Sequence, residues 1–332
     1  MESRTDYEEG RSRRFGALFG LAVGDALGAT LEFAFAGTVP PHEVSKAMTM
    51  PGGGCHGVAP GQVTDDTELA LALASALAGS VASDGFPRDR VEAAYRAWFA
   101  SDPFDVGATC GAAFGSRYSG ASASSQSNGS LMRIAPLAVW AASETDGAIA
   151  RLAIADASLS HASGVVHAST AAYAIALAAL VRGETAEEAV GRATSWLESR
   201  HRETPAAAEA AAVVLAWATE PMTEEDVADV HDPARQGWAK HAFSLAFHHL
   251  RTGTTFGDAM RHVLGAGGDT DTNAGIVGAL IGARVGLGDV GLGWVARVED
   301  CVHELHERPE IYHPREFSEF VYGLCHEPEF LS

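Results

Sequence analysis

Apolar residues recur three and four positions apart through Glu68 to Leu77, Ala168 to Val181, Ala206 to Thr219 and Trp238 to Leu250. That spacing lays one face of an α-helix against a core. Alanine and leucine, the strongest helix formers, dominate these stretches. Alternating runs of Val, Ile, Thr or Tyr that would mark strands are almost absent, so the pattern predicts an all-α protein in which a sheet is at most a minor element. Three segments interrupt the helical pattern: Pro40 to Gln62 with its Gly-Gly-Gly, the Ser/Gly-rich Tyr118 to Ser130, and the acidic Glu220 to Pro233. None is long enough or low enough in complexity to be a domain linker. The expected organisation is a flexible segment over residues 1–13 and one domain over residues 14–325.

Glycine adds a second pattern. Gly16, Gly20, Gly24 and Gly28 recur every fourth residue, and Gly278, Gly282 and Gly286 repeat the spacing near the far end of the chain. Glycine inside a helix costs about 1 kcal/mol relative to alanine, so a row of it implies close approach by another backbone. Tight packing accounts for the glycines themselves. Their position adds information, because Asp25 and Glu32 adjoin the first row and Asp269 and Asp271 precede the second.

The 332 residues hold 23 Lys and Arg against 43 Asp and Glu, a formal charge of −20. Such a surface repels nucleic acid and anionic membrane, which excludes a non-specific polyanion binder. A hydrophobic content of 47% excludes disorder throughout. Cys55, Cys110, Cys301 and Cys325 include no C-x-x-C pair, so neither a disulfide framework nor a thiolate zinc site is indicated, and a reduced, cytoplasmic setting is expected. The N-terminal MESRTDYEEGRSRR shows no secretory pattern. The apolar stretch after Asn273 is broken by Arg284 and Asp289, and Ala168 to Val181 is short for a bilayer, so no membrane partner is expected. A monomer is the expected state.

Two acidic clusters open helices. In Thr64-Asp65-Asp66-Thr67-Glu68, Asp65 and Glu68 have the spacing of a capping box, the ordinary structural reading. The second cluster is Gly267-Gly268-Asp269-Thr270-Asp271-Thr272-Asn273. Its Asp-x-Asp-x-Asn is not an EF-hand, because Ala274 and Leu280 stand where that loop needs Gly and Glu. Two such clusters brought together would repel unless cations lie between them, and hard oxygen donors suit Mg²⁺ or Mn²⁺ better than zinc. The pair therefore suggests a binuclear, oxygen-liganded site. Other candidates are weaker. His303-Glu304-Leu305-His306 is not the H-E-x-x-H of a zinc helix. His248 and His249 are adjacent, point in different directions and are expected to be partly solvated. No G-x-S-x-G elbow occurs, and Trp238, Phe243, Phe247 and Leu250 read as core.

The strings GALFGLAVGDALGATLEF (Gly16 to Phe33), VTDDTELALA (Val63 to Ala72), NGSLMRIAPLA (Asn128 to Ala138), LSHAS (Leu159 to Ser163) and GGDTDTNAGIVGALIGARVG (Gly267 to Gly286) resemble, in order and spacing, the motifs of the ADP-ribosylglycohydrolases. The resemblance runs over roughly residues 14 to 320. It implies an all-α domain with two divalent cations, Mg²⁺ or Mn²⁺, in a central cleft, hydrolysing the bond between ADP-ribose and a modified group. By the same resemblance Thr64, Asp65 and Asp66 match one metal triplet and Asp269, Asp271 and Thr272 the other. Glu32 matches a carboxylate beside the metals, Asp105 an acid near the distal ribose, and Gly107 lies in the same FDVGATC string. Asn128, Gly129, Ser130 and Met132 match a loop facing the diphosphate, and His161 a histidine beside the substrate. The chain departs from the pattern at Ala108, where many relatives carry Asn, which leaves one ribose or guanidinium contact unassigned.

These roles fit the chemistry, since glycosidic cleavage passes through an oxocarbenium-like transition state and needs an oriented ribose and an activated water. Glu32, Asp66 and Asp271 are the candidates to move the proton, and the sequence does not choose among them. Backbone amides around Asn128 to Ser130 would suit a diphosphate without added bases. The expected substrate is a protein carrying ADP-ribose on arginine. An O-linked adduct on serine or another acceptor is the alternative within the fold, and a non-catalytic ADP-ribose binder, like the lens crystallin relatives, the alternative outside enzymes. Intact carboxylates in both clusters favour catalysis.

Overall fold

The computed structural model describes residues 4–115, 121–302 and 307–324. Cys325, the His303 to His306 string and the beginning of the Tyr118 to Ser130 segment lie outside the described residues. The helices are α1 (Arg4–Gly28), α2 (Pro41–Ala47), α3 (Asp65–Leu77), α4 (Arg88–Ala100), α5 (Ala108–Phe114), α6 (Ala135–Trp140), α7 (Asp146–Ala157) and α8 (Gly164–Val181). They continue with α9 (Ala186–Ser199), α10 (Pro205–Thr219), α11 (Glu224–Val230), α12 (Ala239–Thr252), α13 (Phe256–Ala266), α14 (Thr270–Val285), α15 (Leu287–Glu299) and α16 (Glu316–Leu324). Extended pairing among the described residues is limited to isolated bridges such as Gly53 with Val58. The all-α expectation is borne out.

Local sequence explains many boundaries. Thr145, Thr185, Thr204, Thr223 and Thr255 each cap a helix by accepting a hydrogen bond from a backbone N–H in its first turn. Thr185 with Glu188 and Thr223 with Asp226 complete capping boxes. At the other end of α12, Gly253 takes the left-handed conformation, φ 67°, that stops the helix. Two of the three segments read as loops contain short α-helices, α2 within Pro40 to Gln62 and α11 within Glu220 to Pro233, and the third ends in a 3-10 turn at Asn128–Ser130. Both start from capping chemistry, Pro41 at the first turn and Thr223 at the cap, rather than from a long apolar period. Residues 4–13, set apart in the sequence as a flexible segment, are helical and run on into the first glycine row.

The 18-residue α8 is apolar on every side and is wrapped by α6, α7, α9, α10 and α14. Its composition and length match a membrane span, yet 83% of it is buried within the protein, which is the other solution for an all-round apolar helix.

The two glycine rows meet each other. Helices α1 and α14 run antiparallel with Gly16 against Gly282, Gly20 against Gly278, Gly24 against Ala274 and Gly28 against Asp271. A Cβ added at any of these glycines would come within 3.0 Å of facing backbone atoms, closer than real contacts allow. Close contact along this seam sets the start of α14, and with it Asp269 and Asp271, beside the end of α1. Gly278→Ala is therefore expected to destabilise the fold by about 3 kcal/mol or more, the upper end of overpacking costs, because backbone cannot move aside as a side chain can. Gly191→Ala, in mid α9 with no atom within 4 Å of the added carbon, is expected instead to stabilise by about 0.5–1 kcal/mol. Urea midpoints of the two variants check this opposition of sign.

Candidate active site

Helix α3 begins without a local cap. Thr64 occupies the cap position but its side chain makes no capping bond, and the partner comes from α1. Asp25, fully buried, accepts hydrogen bonds from the Thr64 N–H at 3.0 Å, the Thr67 N–H at 3.1 Å and the Thr67 hydroxyl at 2.5 Å. These donors stabilise its anion against burial, which nevertheless pushes its carboxyl up to about 6. The capping-box reading of Asp65 and Glu68 is thereby corrected. Glu68 pairs bidentately with Arg308, with both N···O distances 2.8 Å, and accepts from Trp98 Nε1 at 2.8 Å. Asp65 instead accepts from the Gly107 N–H at 3.1 Å. Freed from capping its own helix, the Thr64 to Asp66 cluster faces the second cluster.

The two clusters touch through Asp66. Its Oδ2 accepts from Thr64 Oγ1 at 3.1 Å and from Thr272 Oγ1 at 3.2 Å, across a separation of 206 residues. Its Oδ1 is buried with no hydrogen-bond partner. The second cluster is presented by a glycine turn in which Gly267 and Gly268 have φ of 76° and 72°. There the Thr270 hydroxyl donates to the Gly28 carbonyl at 2.7 Å, and Asn128 Nδ2 donates to Asp269 Oδ2 at 2.7 Å.

Above them opens a cavity of about 550 Å³, lined among others by Glu32, Asp65, Asp105, Gly107, Asn128, Gly129, Met132, Asp269, Asp271 and Thr272. That size lies within the range of small-molecule sites. Another depression, of about 590 Å³ between the Val58 to Pro60 segment and α15, has Arg297 and Asp300 but no carboxylate cluster. Chemistry rather than volume therefore marks the site. Thr64 and Asp66 are buried beneath the cavity floor. Ser130 and His161 lie one layer behind its wall, Ser130 bonded to Thr170 Oγ1 at 2.9 Å and His161 Nε2 to Ser127 Oγ at 2.8 Å. Burial and the nearby Arg133 hold the His161 imidazole down to about 3, so it is neutral at pH 7. The Asn128 N–H donates to the Gly237 carbonyl at 2.8 Å and is thus not open to an anion.

Among the described residues no Lys or Arg lines the cavity. Glu32 is pushed up to about 7, first by burial and then by Asp269, and Asp105 to about 7 by burial and Glu32. Asp65, Asp66 and Asp271 are raised well above the carboxylate range, burial again coming first. One oxygen each from Glu32, Asp105 and Asp271 lies within 4.8 Å of the others. So many carboxylates, with no Lys or Arg among the described lining residues, need protons or cations, and the partnerless Asp66 oxygen fits a cation ligand in particular.

Several residues went unrecognised in the sequence. His56 approaches Glu32 Oε2 at 3.0 Å and Asp105 Oδ2 at 3.6 Å, and Cys55 Sγ donates to Glu32 Oε2 at 3.4 Å. Both come from the Gly-rich loop, whose conformation no local pattern specifies. Gln236 and Gly237 close another side. Phe33, half-exposed at the cavity, holds a left-handed φ of 51°. Arg133, fully buried, donates to the Gly129 carbonyl at 2.9 Å and to Asp156 Oδ2 at 3.0 Å, pinning the Asn128 to Ser130 turn from behind. A charged residue inside the apolar LMRIAPLA run was the available signal for it. Ala108 lines the cavity and brings no polar group there.

The structure is thus an all-helical domain around a carboxylate-lined cleft. A sequence profile of the ADP-ribosylglycohydrolases matches residues 6–319, and the chain belongs to that family. It is 30% identical over 300 residues to the ADP-ribosyl-[dinitrogen reductase] glycohydrolase of Rhodospirillum rubrum, covering 86% of this chain and 90% of that one. A shorter match, 35% over 147 residues, covers 40% of this chain and 37% of an ADP-ribosylarginine hydrolase of Pseudomonas putida. Among solved structures, an ADP-ribosylglycohydrolase-related protein complex superposes with a TM-score of 0.72 at 27% identity, over 96% of this chain and 99% of that one. The protein is a hydrolase of this family.

Because Asp25 replaces a local cap, the Thr67 hydroxyl carries an unusual share of the order in α3. Thr67→Val keeps the shape and removes one charge-assisted bond, and is expected to cost about 1.5–3 kcal/mol. Chemical denaturation of the two proteins measures it.

Proposed function

We propose that the enzyme removes ADP-ribose from modified arginine side chains of proteins by hydrolysing the N-glycosidic bond, with two divalent cations, Mg²⁺ or Mn²⁺, in the cleft. The observation that carries this reading is the union of the two acidic clusters under one cavity in which no Lys or Arg stands among the described residues. Asp65, Asp66, Asp269 and Asp271, with the hydroxyls of Thr64 and Thr272, would hold the cations. When bound, these supply Lewis-acid charge beside the ribose hydroxyls and the attacking water.

The chain's own groups divide the remaining work. On this reading Asp105 would orient the ribose, and Met132, Val106 and Phe33, which also line the cavity, would offer apolar surface for the rest of the nucleotide. Glu32 faces the cavity with Oε2 approached by His56 and Cys55. A carboxylate lining the cavity in this way can exchange a proton with a bound ligand, as a general acid or base does. Asp66, sealed under the floor and tied to two threonines, is less accessible to substrate than Glu32. The acidic surroundings also attract a guanidinium leaving group, which favours arginine over a neutral serine adduct.

Incubation with ADP-ribosyl-arginine and ADP-ribosyl-serine peptides, with and without Mg²⁺, tests the reading. Release of ADP-ribose from the arginine peptide only when Mg²⁺ is present is expected. Preferential release from serine would replace the linkage, and release from neither would point to a binder. In the same assay Glu32→Gln is expected to lower single-turnover rates by roughly 10²-fold or more, with ADP-ribose affinity within a few-fold, since acid–base groups contribute about 10²–10⁴.

Protonation adds a dependence on pH. A carboxyl raised in the folded state binds protons there that the unfolded chain has released, so the metal-free protein loses this stability as pH rises toward about 7 at Glu32 and Asp105. Cations replace those protons. The gain in melting temperature on adding Mg²⁺ is therefore expected to grow from pH 6 to pH 8, and taking the difference cancels buried histidines such as His161 and His249. A gain that shrinks with pH would show that the carboxylates are not the ligands.

A further inference from the structure

Three histidines on α12 and α13 take no part in the chemistry above. The ring centroids of His248 and His249 are 5.1 Å apart, those of His249 and His262 5.0 Å, and those of His248 and His262 5.8 Å. One nitrogen from each lies within 4.8 Å of the other two. Three imidazoles around one tetrahedral ion, with Zn–N bonds of about 2.0–2.1 Å, place their ring centres about 5 Å apart. The cluster already has nearly that spacing. His249 is also buried rather than partly solvated, because α13 covers the side of α12 that carries it.

Hydrogen bonding settles which His249 nitrogen faces the cluster. Thr252 Oγ1 donates to the His248 carbonyl at 2.9 Å, so in the 2.8 Å contact between Thr252 and Thr254 the Thr254 hydroxyl is the donor. With that proton used, Thr254 Oγ1 accepts from His249 Nδ1–H at 3.2 Å. The lone pair of His249 is thereby on Nε2, which lies 3.0 Å from His262 Nδ1. Metal-bound histidines are commonly held through their other nitrogen in this way. Burial and the neighbouring imidazoles lower His249 to about 3, and burial lowers His248 and His262, so the rings are neutral and able to ligate at pH 7. The adjacent guanidiniums are engaged with carbonyls, Arg251 with Ala218 and Glu220, Arg284 with His249 and Thr254.

The geometry points to a three-histidine site for a borderline divalent transition-metal ion, represented by Zn²⁺ or Co²⁺, that clamps α12 to α13. Its all-nitrogen donor set selects against Mg²⁺, as the oxygen donors of the active cleft select for it. The clamp would brace two walls of that cleft, since α13 leads into Gly267, Gly268 and Asp269 and α12 follows Gln236 and Gly237.

The test is calorimetric titration of the full chain with Zn²⁺ in excess Mg²⁺, which keeps the oxygen ligands occupied, together with the visible spectrum of Co²⁺ added in the same way. One Zn²⁺ per chain and the strong absorption of four-coordinate cobalt are expected, with affinity reduced at least tenfold in His262→Gln. Should that variant fail to fold, His248→Gln, at the partly exposed corner of the triangle, decides on the same criterion. No Zn²⁺ uptake by the wild-type chain, or uptake unchanged in the folded variant, would overturn the site.

Discussion

The close packing of α1 against α14 is the constraint on which the other features rest. Two helices whose side chains interdigitate keep their axes 8–10 Å apart; here glycine removes the side chains along the seam, and carbonyls of one helix lie where Cβ atoms of the other would be. That closeness carries Asp25 toward the start of α3 and places Asp271 against Gly28. Helix entropy given up at each glycine is thus exchanged for the placement of two acidic clusters from opposite ends of the chain. A looser seam would leave Asp66 and Thr272 out of hydrogen-bond range, and the site would be two unrelated helix caps.

Asp25 shows how the site is built from displaced interactions. A carboxylate at a helix N-terminus is ordinarily supplied from within the helix or just before it. Drawing it from α1 satisfies the first turn of α3 while leaving Asp65 and Asp66 to serve another purpose. Glu68 is likewise removed from capping by Arg308 and Trp98. Carboxylates that would stabilise their own helix are turned toward the cleft, and their cost in metal-free protein is visible as raised proton affinity.

Much of the fold was legible because alanine-leucine periodicity and threonine caps are local signals. Helices α3, α8, α10 and α12 fall where the spacing predicts, and the start of α14 follows its Gly-Gly turn. The glycine rows announced a close approach, although only the structure pairs them. Less could be read where geometry is non-local. Asp65 and Glu68 satisfy a local capping pattern that tertiary partners override. His56 and Cys55 sit in a loop whose path depends on glycines with positive φ, including Gly54 and Gly57. His249 is buried where the sequence suggests partial solvation, because adjacency on one helix says nothing of the α13 surface that covers it.

Electrostatics gives the strongest link between fold and chemistry. ADP-ribose carries a diphosphate, and the protein that is to bind it has a formal charge of −20 and, among the described residues, no Lys or Arg in the cavity wall. Its buried arginines do not supply the missing charge, for Arg133 is held by Asp156 and Arg308 by Glu68. On the proposed reading cations among the carboxylates would be the main source of positive potential, since among the described residues the cavity otherwise offers His56, engaged with Glu32 and Asp105, and backbone N–H groups, of which the Asn128 amide is already committed. Nucleotide affinity and metal affinity would then be two sides of one linkage, each strengthening the other by the same factor. An acidic cleft that would repel such a ligand when empty would become, with cations bound, the feature that recognises it.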